Sequence, residues 1–544
     1  MSDILFQYQR ISPTTWVYVS SLMTIGLFFK FGRVWSVRNL DLLLLIALAP
    51  GLLMVVQGQS MQRSPPEEVA APDPPPRDGT PDPAPDGQGD PNPLVTTPVV
   101  YLGLEIEEFD PPETETDSGS GTADGEVVPL VDDDSLTDAA DLIGSGPPPS
   151  LHSAAEQLPP HVRTGQAIET SGYLWLFAVG LLLLVRLFVD PNMVRRPLLE
   201  PNLSTGGMVF LGCALLVFLM ANVITGTPSE DDLVGPTSAE NFMAGREAGA
   251  MTGHGPGLPM LYMLPTITTS ALVAPPQDLT EPQQIHFSRV VTAKTMAILS
   301  HLAIVIGMVM IGYWHFDNIK MGVGAATLYL ILPYMAEMTG RVDHALPGAL
   351  LVWAIAAYRR PLVAGMLLGL AAGIIYYPLY LLPLWISFYW QRGLGRMLAG
   401  VVAVIALMAF SMIFNSDGLM SYWLQIQSTF GLYSPKMEEL EGIWRVAWDP
   451  AYRMPIIAAF IALAGTFALW PPRKNFGTLL SCSAAVMLAV QYWTGYFGGG
   501  GTIMAWYLPL LLLTVFRPNL EDRVAIAVLD KGRWPRLAAL DKAA

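Results

Sequence analysis

Apolar residues in this chain do not alternate with polar ones; they come in long runs parted by short polar breaks. A bilayer core about 30 Å thick needs about 20 apolar helical residues to cross it. By that ruler about thirteen runs qualify, starting near Trp16, Leu40, Ser171, Gly206, Val290, Met321, Ala345, Pro361, Leu379, Met397, Met454, Asn475 and Thr502. The pattern predicts an all-α polytopic membrane protein with about 11–13 transmembrane helices. Two runs, 361–377 and 379–390, are short and parted only by Tyr376-Tyr377-Pro378, which predicts a tight helical hairpin or a re-entrant pair. The first ten residues lack a basic stretch and no small-residue cleavage site follows the first run, so an uncleaved anchor is expected.

Composition agrees with the pattern. Of 544 residues 52% are hydrophobic and only 14% charged, with a mean hydropathy of +0.41, against about 25% charged in soluble domains. The net charge of −16 is local: residues 63–165 hold 22 Asp and Glu against 3 Lys and Arg, leaving the rest near neutral. There is no basic footprint for nucleic acid. Cys213 and Cys482 both lie in apolar runs, so neither a disulfide framework nor a cysteine metal site is expected, and no metal ligands are assigned.

Lysine and arginine mark the cytoplasmic side. Lys30/Arg33/Arg38, Arg186/Arg195/Arg196, Lys320, Arg359/Arg360, Arg392/Arg396, Arg473/Lys474 and the tail from Arg517 fall on alternate loops and hold 19 of 30 basic residues. The expected location is the cell membrane, with the N-terminus extracytoplasmic and the C-terminus cytoplasmic. The layout is then N-terminal transmembrane helices over 1–57, an extracytoplasmic insert over 58–169, transmembrane helices over 170–225, a Gly/Pro-rich extracytoplasmic loop over 226–288, a transmembrane core over 289–516, and a cytoplasmic tail over 517–544. The insert carries 20 prolines between Ser64 and Gln166 and cannot bury enough apolar surface to repay ordering, so a long disordered acidic segment is expected. It reads as a solvated spacer or as an acidic arm, and names no protein partner. Met260–Val273 is apolar enough to lie on the membrane, and the loop 415–453, with Trp423, Tyr433, Trp444 and Trp448, suits an amphipathic helix at the outer interface.

Ionisable groups within apolar runs are costly and mark candidate chemistry. Lys294 and His301 share one helical face, as a proton relay or phosphate contact, or as a snorkelling lysine beside a hydrogen-bonded core histidine. Denser is the constellation Glu337, Arg341, Asp343 and His344, at the boundary between two runs. A carboxylate there can take a proton from a sugar hydroxyl or meet a divalent cation, and Arg341 suits a phosphate; alternatively these residues pair with one another in a polar turn. No HExxH, Walker A, GxGxxG or GxSxG motif occurs, and Gly498–Gly501 lacks the strand and GK[ST] of a phosphate loop.

Residues 322–396 resemble the middle of the GT-C superfamily of polyprenyl-phosphate-sugar-dependent membrane glycosyltransferases, the type that includes bacterial mannosyltransferases. Leu332-Pro333, the turn Gly340–His344, the pair Arg359-Arg360 and the glycine-rich Ala364–Leu384 occupy the places of the family pattern. The resemblance implies an inverting transfer of a sugar from a polyprenyl-phosphate donor in the bilayer to an extracytoplasmic acceptor. It implies Asp343 and His344 as catalytic residues and Arg341, Glu337, Lys294, Tyr376 and Tyr377 as substrate-binding residues, with no cofactor beyond a divalent cation. Two departures stand out. The family's lysine before the Tyr-Pro pair is absent from Ile374-Ile375-Tyr376-Tyr377-Pro378. The family's catalytic aspartate in the first outside loop also has no recognisable equivalent. If Leu40–Val56 is the first helix of the family unit, that loop is 58–169, with Glu105, Glu107, Glu108, Asp110 and Glu169 as candidates. Gly365, Gly369 and Gly373 either line a lipid groove or pack helices closely. Two other readings remain: a non-catalytic scaffold or inactive relative with an acidic envelope-facing arm, and a transporter using Lys294, His301 and Glu337.

Overall fold

The computed structural model describes residues 12–63, 159–193, 199–245 and 254–518, apart from 274–275, 277–278, 417, 433–434, 436, 439 and 496–498. The body of the acidic insert, its candidates Glu105, Glu107, Glu108 and Asp110, and the tail beyond Pro518 lie outside the described residues. The chain divides into two units, Met1–Ser60 with Gln166–Ala544, and Met61–Gly165. The described part of the second is limited to 61–63 and 159–165.

Among the described residues the fold is all-helical. The first unit begins with α1 (Pro13–Phe28), α2 (Val37–Arg63, whose last residues enter the second unit), α3 (Pro160–Val189, whose first residues do), α4 (Thr205–Thr225), α5 (Glu230–Met243), α6 (Gly257–Leu272) and α7 (Glu281–Trp314). It continues with α8 (Ile319–Ile331), α9 (Pro333–Glu337), α10 (Val342–Ala356), α11 (Pro361–Ile374), α12 (Leu382–Tyr389), α13 (Leu394–Met412), α14 (Leu419–Phe430), α15 (Ile443–Val446), α16 (Arg453–Leu469), α17 (Phe476–Val490) and α18 (Leu508–Phe516). Six described helices are long and apolar enough to cross a membrane: α2, α3, α4, α7, α13 and α16, the second, fifth and sixth of these counted with the turns that extend α3, α13 and α16. Shorter apolar helices, α8, α10, α11 and α17, complete a polytopic membrane protein. Every apolar run picked out by the pattern is helical, and the break at Tyr376–Pro378 is a 3-10 turn, Tyr377–Leu381, between α11 and α12. With 14 residues, α11 reaches about 21 Å, short of a full crossing.

Burial sorts the helices. All of α17 is buried, as is α8 from Met321 onward, and these form the middle of the bundle. On α4, α13 and α16 exposed side chains such as Phe210, Val217, Val402, Phe410 and Ile461 are apolar, as a lipid-facing surface requires. Glycines set the α11–α13 approach: a Cβ at Gly365 would collide with the carbonyl of Met397, and one at Gly400 with that of Leu362. Gly365, Gly369 and Gly373 all face α13 through Met397, Val401 and Met408, so they pack helices closely. A buried ion network joins other helices. Arg186 of α3 donates through Nε and Nη2 to Asp41 of α2 at 2.8 and 3.0 Å and through Nη1 to Asp190 at 2.7 Å, while Arg517 donates to the other Asp190 oxygen.

Candidate functional site

The polar residues of highest chemical interest gather where α4 gives way to α5, where the chain enters α6, and where α9 turns into α10. The start of α5 is a capping box: Asp232 Oδ2 accepts from the Ser229 backbone N–H at 3.0 Å and from its hydroxyl at 2.9 Å. This fixes Asp231 and Asp232 within a few residues of the end of α4. The strap His254-Gly255 is pinned by the Gly255 N–H, which donates to the Ile374 carbonyl at 2.8 Å. That closeness needs glycine, because a Cβ at Gly255 would strike the Gly373 carbonyl. Arg341 precedes α10, and Asp343 and His344 lie in its first turn.

These segments converge. Arg341 grips Asp343 with both arms, Nε to Oδ1 at 3.1 Å and Nη2 to Oδ2 at 2.8 Å, a bidentate pair. Its remaining arm, Nη1, reaches Asp231 Oδ2 at 2.8 Å, and Nε stands 4.0 Å from Asp232 Oδ1. His254 Nε2 and His344 Nε2 approach Asp343 Oδ2 at 3.7 and 3.8 Å. Behind them Tyr334 and His344 share a hydrogen bond of 3.2 Å, and the Trp506 indole donates to the Asp343 carbonyl at 3.3 Å. Asp231, Asp232, Gly235, His254, Tyr262 and Asp343 are among the lining of one narrow cleft, of water-molecule dimensions in this closed arrangement.

Exposure grades the carboxylates. The Asp343 side chain is 8% exposed, that of Asp232 11% and that of Asp231 69%. Burial raises the Asp232 carboxyl above its usual range despite the bonds from Ser229 and the nearby Arg341. Burial pulls the Arg341 guanidinium down, but Asp343 foremost, then Asp231 and Asp232, outweigh it and hold the charge more firmly than usual. Asp232 Oδ1 is buried and receives no hydrogen bond.

The other residues singled out in the sequence occupy different places. Glu337 ends α9, half-buried, one turn before Arg341. Lys294 donates to the Ile224 carbonyl at 2.8 Å and so caps the end of α4. His301, one face along the same helix, is buried with its ring between Tyr329 Oη at 3.2 Å and the Thr339 carbonyl at 3.0 Å. Tyr377 is buried, bonded to Thr494 at 2.7 Å and packed in tilted contact with Tyr376 and Trp506, with centroids 4.4 and 5.3 Å away, so it backs the site through Trp506. Glu169, the described member of the insert's candidates, is buried and accepts from Gln59 at 3.1 Å and Arg445 at 3.3 Å. Among the described residues no three His, Cys, Asp or Glu stand together as a metal site. With Asp343 held by Arg341, the cluster does not fit a cation as arranged.

Asp231, Asp232, His254 and Tyr262 are members the sequence reading missed. One signal was available: Ser229-Glu230-Asp231-Asp232 directly after an apolar run is a helix-start pattern, which anchors acids at the rim of a bundle. His254, in a glycine-rich stretch, had none. Comparisons of the chain with protein-family models, with curated proteins and with solved structures find no match.

Proposed function

We propose that the chain is a membrane glycosyltransferase that moves a sugar from a polyprenyl-phosphate donor to an acceptor hydroxyl on the extracytoplasmic side. One observation carries the reading: a guanidinium and three carboxylates from two segments, one following α4 and one opening α10, meet in one cluster that suits a phosphate and a hydroxyl. In this reading Asp343 is the residue that orients Arg341, and the deprotonating role falls to Asp232. Its Oδ1 receives no hydrogen bond, and its raised proton affinity strengthens it as a base. The acceptor hydroxyl passes its proton to Asp232 while its oxygen attacks the anomeric carbon from the face opposite the phosphate. The bond from that carbon to the phosphate oxygen breaks, and the electron pair leaves on a phosphate that needs no proton. Arg341 steadies the phosphate by exchanging its exposed partner Asp231 for a phosphate oxygen while keeping Asp343. His344, hydrogen-bonded to Tyr334, stands beside Asp343.

The test is sugar transfer in nanodiscs from polyprenyl-phosphate hexose and pentose donors. Asp232→Asn is expected to abolish transfer with donor binding retained, and Arg341→Ala to weaken donor binding. Absence of transfer by the wild-type chain with every donor, or full transfer by both variants, refutes the reading.

A further inference from the structure

The helix α14 carries no charged residue, and its exposed side chains are apolar apart from Ser428: Leu419 is 84% exposed, Met420 70%, Trp423 49% and Leu424 53%. At 100° per residue these four positions fall within one side of the helix, with Gln427 between them. The opposite side is committed. Gln425 meets Ser416 at 3.0 Å, Thr429 is buried, and the adjoining Gly431 abuts the ring of Tyr376. A Cβ on Gly255 would meet the Thr429 methyl at 3.0 Å, so the inner side of α14 lies directly on the strap that carries His254.

What covers the outer side follows from continuity. The preceding helix, α13, is one of the long apolar helices, and its exposed stripe ends in Phe410, Ile413 and Phe414. Exposed apolar side chains resume at Leu419 and Met420; of the residues between, Asn415 is buried, Ser416 is half-buried and Asp417 lies outside the described residues. Exposed apolar surface thus lies on both sides of this short connection, and α14 packs against α11 and α13. An uncharged helix with an indole on its apolar side is suited to the polar–apolar boundary of a bilayer and needs no anionic headgroup to hold it there.

We infer that α14 lies in the plane of the membrane with Leu419, Met420, Trp423 and Leu424 in the acyl boundary of one leaflet. Its inner side thereby holds the His254 strap and Tyr376 at headgroup depth. The inference is independent of sugar transfer. In a Cys213→Ala background, single cysteines replace Met420, Leu424 and, as a water-exposed reference, Glu438. Each carries an environment-sensitive fluorophore, and the full chain is placed in phosphatidylcholine nanodiscs. The expected result is blue-shifted emission at 420 and 424, quenched by lipids with a spin label near the headgroup and protected from iodide. The reference at 438 behaves in the opposite way, and anionic lipid changes neither. Two results overturn the inference. One is water-like, iodide-quenched emission at both 420 and 424. The other is a blue shift that persists in lipid-free amphipol only at high protein concentration and is insensitive to spin-labelled lipid, which would assign the face to a second copy of the chain.

Discussion

Arg341 makes two ion pairs of the same length, 2.8 Å, to carboxylates of different exposure, and this permits a sharp prediction. Distance alone would give them equal weight. The Asp231 side chain is 69% exposed, so water and salt screen its charge, and pairs of this kind contribute about 0.2–1 kcal/mol. Asp343 is 8% exposed and held by two hydrogen bonds. Removing one partner of such a buried pair costs about 3–5 kcal/mol, because the other charge is left without water or counter-charge. The two histidines near Asp343 and the two other aspartates near Arg341 offset part of that, so the lower end, about 3 kcal/mol, is expected. That is more than a hundredfold, roughly, in the folding equilibrium. The experiment is a pair of double-mutant cycles, Arg341→Met with Asp231→Asn and with Asp343→Asn, read by reversible unfolding in detergent. The Arg341–Asp343 coupling should exceed the Arg341–Asp231 coupling about threefold or more. Raising salt to about 1 M should erase the second and spare most of the first. Equal couplings, or equal losses in salt, would refute the argument that burial and not distance sets the hierarchy.

Three further outcomes are expected. Burial raises the Asp232 carboxyl above its ordinary 3.8, so the folded chain holds this proton more tightly than the unfolded one. The stability it contributes is present at acid pH and lost as pH rises through the raised value. Asp232→Asn, neutral throughout, should therefore match or exceed wild-type stability at neutral pH, with a flatter stability profile; a large loss of melting temperature would contradict this. Arg186→Met removes three charged hydrogen bonds from buried carboxylates, two at Asp41 and one at Asp190, and should cost about 3 kcal/mol in unfolding free energy, with Arg186→Lys recovering only part because one ammonium cannot serve both carboxylates as a fork does. Gly365→Ala meets backbone and should cost about 1–3 kcal/mol, whereas Gly369→Ala, whose nearest atom is 3.1 Å away, should cost less than half as much in the same melts.

The helices were legible because lipid enforces long apolar runs, and a run needs only local sequence to be seen. The interruption at Tyr376–Pro378 and the amphipathic segment in 415–453 were legible for the same reason, as proline chemistry and one-sided polarity. Half the candidate site was legible too: Arg341 and Asp343 are two residues apart and formally complementary. The other half was not. Asp231 and Arg341 are 110 residues apart, and no periodicity carries a contact of that separation. The acids at 230–232 are also what any helix start prefers, so their local signal is satisfied by capping alone. Lys294 and His301 show the converse: one shared face predicts a common role, but the lysine reaches α4 while the histidine is held from α8 and the turn after α9.

Two charged clusters in this bundle separate a strut from a site. In the network of Asp41, Arg186, Asp190 and Arg517 all four carboxylate oxygens accept a charged hydrogen bond inside the protein. An incoming ligand would have to break a buried pair to enter, and no carboxylate oxygen would be left over to act on it. In the cluster around Arg341 the strong, buried bonds fix only part of the constellation. One guanidinium arm rests on an exposed carboxylate that a phosphate can displace at small cost, and one buried carboxylate oxygen receives no hydrogen bond. Buried polar atoms without partners cost about 1–3 kcal/mol each, which the fold would relieve by a small turn of a side chain if stability alone set the geometry. An exchangeable arm beside an unsatisfied carboxylate oxygen is why the proposed function rests on this cluster and not on the better-bonded one.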